Sequence, residues 1–335
     1  MPHVALLVLD NCYLSSLTGL MDLFQVANAH ARKQLPQHAE AFTWQFLSMD
    51  AATVQVSGGL SIAADPIRTL ADIEFDLIYI PGIYYPGQVK FADYLEQHRP
   101  LFNWLKLRHQ QGALLAANCT GTFLLAETDL LDGKNATTTW WLERQFRKRY
   151  PNVALDIRQI LTEDARLLCA GAITTHHHLA LKMVERFYNQ RIAELTAKAL
   201  LVDFGHHVQQ PYQSLISDKE HDDPLVGRAQ YLLQEAVNLE LTIQDLASQL
   251  SVSPRTLIRR FKAVLGIQPS TYQQNLRLEA AKYLLEHTPI PIEEVVLDVG
   301  YEDPSSFTRL FQKRVGLTPS QYREKFRGQT RSVLS

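Results

Sequence analysis

Two stretches of this 335-residue chain carry the same pattern 50 residues apart, and such a duplication dictates a pair of like-folded units rather than one continuous core. The first, SPRTLIRRFKAVLGIQPSTYQQNLR, begins at Ser253; the second, DPSSFTRLFQKRVGLTPSQYREKFR, begins at Asp303. Pro254/Pro304, Arg259/Arg309, Phe261/Phe311, Gly266/Gly316, Pro269/Pro319, Ser270/Ser320, Tyr272/Tyr322 and Arg277/Arg327 match without a gap. A short helical run precedes each copy, LTIQDLASQLSVS in one case and IPIEEVVLDVGYED in the other. The expected structure is helix, tight turn, helix, twice over.

Local signals in both copies agree. Ile243, Leu246, Ala247 and Leu250 form the apolar stripe of a short helix, and Thr242 with Asp245 approximates a capping box at its start. Ser253-Pro254 then offers an N-cap followed by proline in the first helical position. Leu257, Phe261 and Leu265 recur every four residues and must face a core, and Gly266 falls where a left-handed C-terminal residue is wanted. The second copy uses Asp303-Pro304 and the stripe Phe307, Phe311, Val315, after a turn one residue longer. Arg255, Thr256 and Arg259 in one helix, and Ser305, Ser306 and Arg309 in the other, are left on outer faces. Arginine bonds guanine bidentately, and Ser or Thr reaches bases or phosphates, so these positions suit readout of a DNA major groove.

Phosphate contact needs local rather than global positive charge. The whole chain carries a net charge of −2, but residues 225–335 hold 14 Lys and Arg against 11 Asp and Glu, leaving 19 against 24 for residues 1–224. The cations gather at 255–262 and 309–331, where the second helix of each copy and the tail fall. A plain helical bundle with solvated arginines explains one such unit. It does not explain two with the same caps and the same Gly…Pro-Ser-x-Tyr ending.

The tail GLTPSQYREKFR, preceded by VGYEDPSSFTRLFQKRVG, resembles the signature of AraC/XylS transcription regulators, a likeness covering about 100 residues. The resemblance implies a monomer that spans two adjacent major-groove segments about one helical turn (~34 Å) apart. It also implies an activator, with base-reading positions at Arg255, Ile258 and Arg259 in the first helix and Ser305, Ser306 and Arg309 in the second. Thr256 and Thr308 join them as DNA-facing candidates. Ile258 departs from the polar residues often found at its position and suits a methyl contact to thymine instead.

The first half reads differently. Short apolar β-branched runs alternate with helical patterns, which predicts a parallel sheet with flanking helices, an α/β flavodoxin-like domain. Strands are expected at 4–9, 43–49, 53–56, 76–82 and 112–121, and a helix at Thr18–Ala31. A terminal hairpin is expected from 153–161 and 166–170, then one long amphipathic helix over 179–202. The polar, turn-rich stretch 205–224 predicts a linker, giving a domain at 1–204 and an all-α domain with two helix-turn-helix units at 225–327. The apolar run MPHVALLVLD lacks a basic lead and is followed by an acid, so it reads as a strand rather than an export signal. Three cysteines point to a reducing compartment, with the cytoplasm as the default and no membrane span expected.

Cys119 sits where an apolar strand passes into a helix, within AANCTGTFLLAE. Such an elbow presents a side chain at the carboxyl edge of a sheet, and the helix N-terminus lowers a thiol's pKa. Backbone N–H groups at Thr120 and Gly121 form an anion-binding corner, and Pro81-Gly82 ends a neighbouring strand at the same edge, where open parallel sheets bind ligands. Cys12, after the first strand, is a candidate resolving thiol for an oxidised Cys119. His176, His177 and His178 are consecutive, point in different directions and make a poor chelate, so no metal or other cofactor is expected.

The span NCTGTFLLAETDLLDGKNATTTWW resembles the cysteine-elbow region of PfpI-like domains in the class I glutamine amidotransferase-like superfamily. The likeness is greatest to GlxA-like regulators, which fuse such a domain to an AraC-type module. Where that family commonly has a His before the Trp, this chain has Thr139; where it commonly has an acid after strand one, it has Ser16, with Asp22 further along. The resemblance therefore implies a catalytically degenerate, metabolite-sensing pocket of Cys119, Thr120, Gly121, Pro81, Gly82, Ser16 and Thr139, in a protein that dimerises through this domain and is not an enzyme. The alternative is a cysteine-dependent amidase or glyoxalase-like enzyme fused to a DNA-binding module.

Overall fold

The computed structural model describes residues 2–34, 41–70, 73–202, 209–212, 215, 221, 223–236 and 241–331. The chain divides into two compact units, Met1–Gln209 and Gln210–Ser335. Most of the linker expected at 205–224 lies outside the described residues.

The first unit is built on a seven-stranded sheet with the spatial order Leu161–Asp164, Leu167–Ala170, Leu114–Asn118, Leu77–Ile80, His3–Leu7, Thr43–Ser48, Asp65–Pro66. All pairings are parallel except the first, so the α/β flavodoxin-like class holds. The central strands are apolar on both faces because helices cover both: Leu77–Ile80 and Leu114–Asn118 are wholly buried. Strand order reverses at His3–Leu7, whose neighbours are Thr43–Ser48 on one side and Leu77–Ile80 on the other. This is the switch point whose carboxyl edge opens a crevice in folds of this kind. Leu14–Gln34, His176–Phe187 and Gln190–Ala199 pack together as one helical layer.

Two expected elements are corrected. The terminal hairpin pairs 161–164 with 167–170, while Ala154–Leu155 pairs in parallel with Asn135–Ala136 instead. Ala165 and Arg166 both adopt positive φ (49° and 64°), a turn conformation that Gly or Asn usually marks and that left no signal here. The long helix expected over 179–202 is two helices, His176–Phe187 and Gln190–Ala199. Asn189 interrupts it by leaving helical geometry and capping the second helix, its Oδ1 accepting from Ile192 N at 3.0 Å.

Within the described residues of the second unit there are helices and no strands. Its apolar residues form two separate cores, one around Leu257, Phe261 and Tyr272, the other around Phe307, Phe311 and Tyr322. The helix Pro269–His287 joins them, giving Tyr272 and Leu276 to the first and Leu278, Ala281 and Leu285 to the second. At 19 residues it is about 28 Å long by helical rise.

Candidate functional site

Each outer helix of the second unit is held by the devices its sequence carries. Ser253 Oγ accepts from Thr256 N at 3.2 Å ahead of Pro254–Leu265, and Gly266 closes that helix at φ 78°. Asp303 accepts from Ser305 N and Ser306 N, each at 3.0 Å, ahead of Pro304–Val315, and Gly316 closes it at φ 84°. Thr242 and Asp245 complete the capping box of Ile243–Gln249. The stripes Leu257, Phe261, Leu265 and Phe307, Phe311, Val315 are buried.

Most of the matched residues prove to be scaffold. Pro269 and Pro319 open the following helices, and Tyr272 and Tyr322 fold back edge-on against Phe261 and Phe311, at 5.5 and 5.6 Å. Arg277 donates to Gly300 O at 2.8 Å and lies over the Tyr301 ring, clamping the second turn from the joining helix. Of the candidate readers, Arg255, Arg259, Ser305, Ser306 and Arg309 are exposed, while Thr256, Ile258 and Thr308 are half-buried. Arg255 and Arg259 form no ion pair among the described residues, whereas Arg309 donates to Ser306 Oγ at 3.3 Å. Arg260, which sequence reasoning did not single out, is committed to Asp223 at 3.1 and 2.7 Å. Asp223 also caps Pro224–Glu235, so this bridge fastens the unit's first helix to its first outer helix.

In the first unit the elbow residues do converge. Cys119 takes φ 55°, the left-handed region disfavoured for a residue with a Cβ. Its N–H donates to Ala170 O at 2.8 Å, and its carbonyl accepts from Thr138 Oγ1 at 2.8 Å. Thr120 Oγ1 donates to Ile83 O at 2.7 Å and accepts from Ile83 N at 2.6 Å, which pins the segment after Pro81-Gly82 to the elbow. A Cβ on Gly121 would stand 2.5 Å from Pro81 O and 2.7 Å from Ile80 O, and one on Gly82 would stand 3.2 Å from Cys119 Cβ. Only glycine permits the approach at 121, whereas a Cβ at 82 would require Cys119 to give by a few tenths of an ångström.

The chemistry there differs from expectation in one respect. Cys119 is 2% exposed rather than presented at the edge, and burial pushes its thiol up to about 11, partly offset by hydrogen bonding to Thr120 and Thr139. The helix Gly121–Ala126 is six residues long, and its N-terminus does not outweigh desolvation. Burial likewise pushes Cys12 up to about 11. Neither is the exposed, low-pKa thiol that redox sensing uses. Ser16 is fully buried and donates to Tyr13 O at 2.8 Å.

Around these lie polar residues that sequence reasoning did not place beside the elbow. The Tyr79 hydroxyl is buried near Ser16, Asn118 and Cys119 without reaching hydrogen-bond geometry. Asn118 donates to Ile173 O at 2.9 Å and accepts from Thr175 Oγ1 at 3.2 Å. His176 Nδ1 lies 2.7 Å from Ile173 O, its buried Nε2 has no partner and abuts Gly19, and burial lowers its pKa to about 4. Among the described residues, no group of three or more His, Cys, Asp or Glu is placed to hold a metal ion.

Gln209, the last residue of this unit, is also buried. It donates to Thr138 O at 3.1 Å and Thr137 Oγ1 at 3.2 Å, so it touches the segment that holds the Cys119 carbonyl. The chain that continues from it anchors on the second unit's joining helix. Leu215 N donates to Glu279 at 2.7 Å, Leu215 O accepts from Asn275 at 2.7 Å, and Tyr212 packs edge-on against Phe326. Neither attachment has a periodic or motif signal from which it could be read.

Residues 3–186 match the family model "DJ-1/PfpI family", and residues 246–325 match "Helix-turn-helix domain". Over 85% of its length and 83% of the relative's, the chain is 27% identical to the HTH-type transcriptional regulator CdhR of Pseudomonas aeruginosa. It is 26% identical to the HTH-type transcriptional regulator GbdR of the same species, over 96% of this chain and 84% of the relative. The fold of the first unit is similar to the crystal structure of a putative transcriptional regulator from Vibrio parahaemolyticus, with TM-score 0.51 and 18% identity over 59% of this chain and 98% of that one. Among the described residues no helix is long and apolar enough to cross a membrane.

Proposed function

Because the chain belongs to the DJ-1/PfpI family and ends in an AraC-type helix-turn-helix domain, we propose that it is a sequence-specific, DNA-binding transcription regulator, an activator controlled by a small metabolite. A sensor at 1–204 is joined through 205–224 to a reader at 225–327. The observation that carries this reading is the pair of capped helices, Pro254–Leu265 and Pro304–Val315, that bury matched apolar stripes and turn Arg255, Arg259 and Arg309 outward.

The sensor half is non-catalytic in this reading. Cys119 has Thr139 and Ser16 where the family commonly has a His and an acid, and its thiol is held protonated by burial. The metabolite acts at the elbow of Cys119, Thr120, Gly121, Pro81, Gly82, Ser16 and Thr139, and the protein works in the cytoplasm as a homodimer formed through this unit. A ligand shifts the equilibrium only by its different affinity for two arrangements. Cys119–Thr138–Gln209 supplies a hydrogen-bonded route from the elbow to the outgoing chain, which attaches to the joining helix at Leu215. The rival reading, a cysteine-dependent amidase or glyoxalase-like enzyme, has the left-handed Cys119 backbone in its favour. Turnover of any metabolite, abolished by Cys119→Ser, decides for it.

The test is to titrate the full chain with its own upstream DNA at graded salt, with and without a metabolite panel. Phosphate contact makes affinity fall steeply as salt rises. Salt-insensitive or absent binding removes the DNA reading. A panel in which no member alters DNA affinity removes the sensor reading.

A further inference from the structure

Beside the elbow helix lies a cavity of about 240 Å³ that the elbow residues do not line. Phe91, Leu95 and Phe123 form its floor, all three buried, and the Tyr85 ring closes one side. Gln88, Gln145, Lys148 and Arg149 stand around it. Phe123 meets Phe91 edge-on at 5.4 Å, and Tyr85 meets Phe91 at 5.2 Å. A cluster of tilted rings accepts another aromatic ring in the same edge-to-face geometry. The volume equals roughly eight waters at about 30 Å³ each, so the guest is a small molecule, not a peptide.

The polar groups set its charge. Arg149 is already committed, donating to Glu127 at 2.5 Å, and Glu127 also accepts from Tyr150 OH at 2.5 Å. Glu96, 4.0 Å from Arg149, pairs with Arg99 at 2.6 Å. Both carboxylates are thus neutralised by arginine. Lys148, Gln88 and Gln145 form no hydrogen bond or ion pair among the described residues. An apolar floor with one unengaged cation and two unengaged amides is the composition of a site for an apolar molecule bearing one anion.

We propose that the sensor unit binds a small aromatic monocarboxylate in this cavity, its ring on Phe91 and Phe123 and its carboxylate at Lys148. Three walls are tied to the elbow. Phe123 belongs to the helix that follows Cys119, Tyr85 follows the segment pinned by Thr120 at Ile83, and Glu143–Arg149 follows the segment whose Thr138 holds the Cys119 carbonyl. A guest there presses on the elbow without entering it. The regulatory meaning of the site rests on the sensor reading above; the binding itself does not.

The experiment is calorimetric titration of the full chain with phenylacetate, phenylacetamide and phenethylamine. Phenylacetate is expected to bind, the amide roughly three- to five-fold more weakly, the scale of one exposed charge pair, and the amine not at all. Lys148→Gln, an exposed substitution, should reduce phenylacetate to the level of the amide, and Ala92→Leu, at a further residue lining the cavity, should fill it and remove both. Absence of phenylacetate binding at millimolar concentration overturns the proposal, as does equal binding to wild type, Lys148→Gln and Ala92→Leu. Phenylacetate that binds in a Lys148-dependent way without changing DNA affinity confirms the cavity and removes its sensor role. A metabolite that changes DNA affinity without competing with phenylacetate keeps the elbow as the effector site and removes any regulatory role for the cavity.

Discussion

The two units handle their polar residues in opposite ways. Around Cys119 the first unit buries Ser16, Asn118, Thr120, Thr138, Thr139 and His176, each 2% exposed or less. The second keeps Arg255, Arg259, Ser305, Ser306 and Arg309 in solvent and buries the apolar stripes beneath them. Buried polar groups must satisfy one another, so their positions are dictated by tertiary packing. Exposed ones are free of that constraint, and a short periodic stretch is enough to locate them. One half is built to be held still around its chemistry; the other displays its chemistry on a rigid support.

The contrast is tested most strongly on the displayed side. Replacing both Arg259 and Arg309 by Ala should weaken specific DNA binding by about 2–6 kcal/mol, each base contact contributing about 1–3. Folding stability should move by no more than ~0.5 kcal/mol, because both side chains are exposed. Anisotropy titrations and urea unfolding on the same samples separate the two effects. Unchanged site-specific affinity would overturn the assignment of the reading helices.

On the buried side the converse holds. Gly121→Ala drives a Cβ to 2.5 Å from Pro81 O and 2.7 Å from Ile80 O, backbone atoms that cannot step aside as a side chain would. It should cost about 3 kcal/mol, the upper part of the range for overpacking. The loss should appear in the first unit only, as faster hydrogen exchange at residues 77–83 and 114–126. A variant as stable as wild type would show that the elbow has room to give.

Much of the second unit was legible because its signals are local: Ser253-Pro254 and Asp303-Pro304 start helices, Gly266 and Gly316 end them, and a four-residue stripe marks the buried face. The Tyr272 and Tyr322 tail was visible as a repeat, but its role in packing against Phe261 and Phe311 was not, since repetition alone does not tell support from contact. In the first unit the sheet class and the convergence of Cys119 with Pro81-Gly82 could be anticipated from strand ends. The protonated state of the thiol could not, because desolvation depends on what covers it. Gln209 and Asn275 attach the intervening chain through long-range hydrogen bonds that carry no period.

His176 extends the buried-side test to pH. Its folded pKa of about 4 lies below the usual 6.5, because burial disfavours the imidazolium. Below pH 6.5 the unfolded chain takes up a proton that the folded chain refuses. This contribution to stability is therefore complete above pH 6.5 and lost as pH falls toward 4, by about 3 kcal/mol on linkage grounds. Urea unfolding of the first unit's transition at pH 7, 5.5 and 4.5 should show a steeper decline for wild type than for His176→Gln. Equal slopes would mean the imidazole is more solvated than its surroundings indicate.

The smallest expected effect lies within the duplication. Both helix-turn-helix turns place a residue in the left-handed region, Ser251 at φ 54° in the first and Gly300 at φ 78° in the second. Ser251 is exposed, so replacing it by Gly removes only the steric cost of a Cβ there, about 1–2 kcal/mol. The greater freedom of glycine in the unfolded chain takes back about 0.5–1 kcal/mol. Ser251→Gly should therefore stabilise the first turn by roughly 0.5 kcal/mol. Gly300→Ser should do the reverse and cost more, since its Cβ would lie 3.1 Å from the Arg277 guanidinium that donates to Gly300 O. Thermal unfolding of the two single variants measures the difference. If Ser251→Gly destabilised the protein, the serine hydroxyl would have a role at the turn that its twin position lacks, and the two units would differ in support as well as in their outer faces.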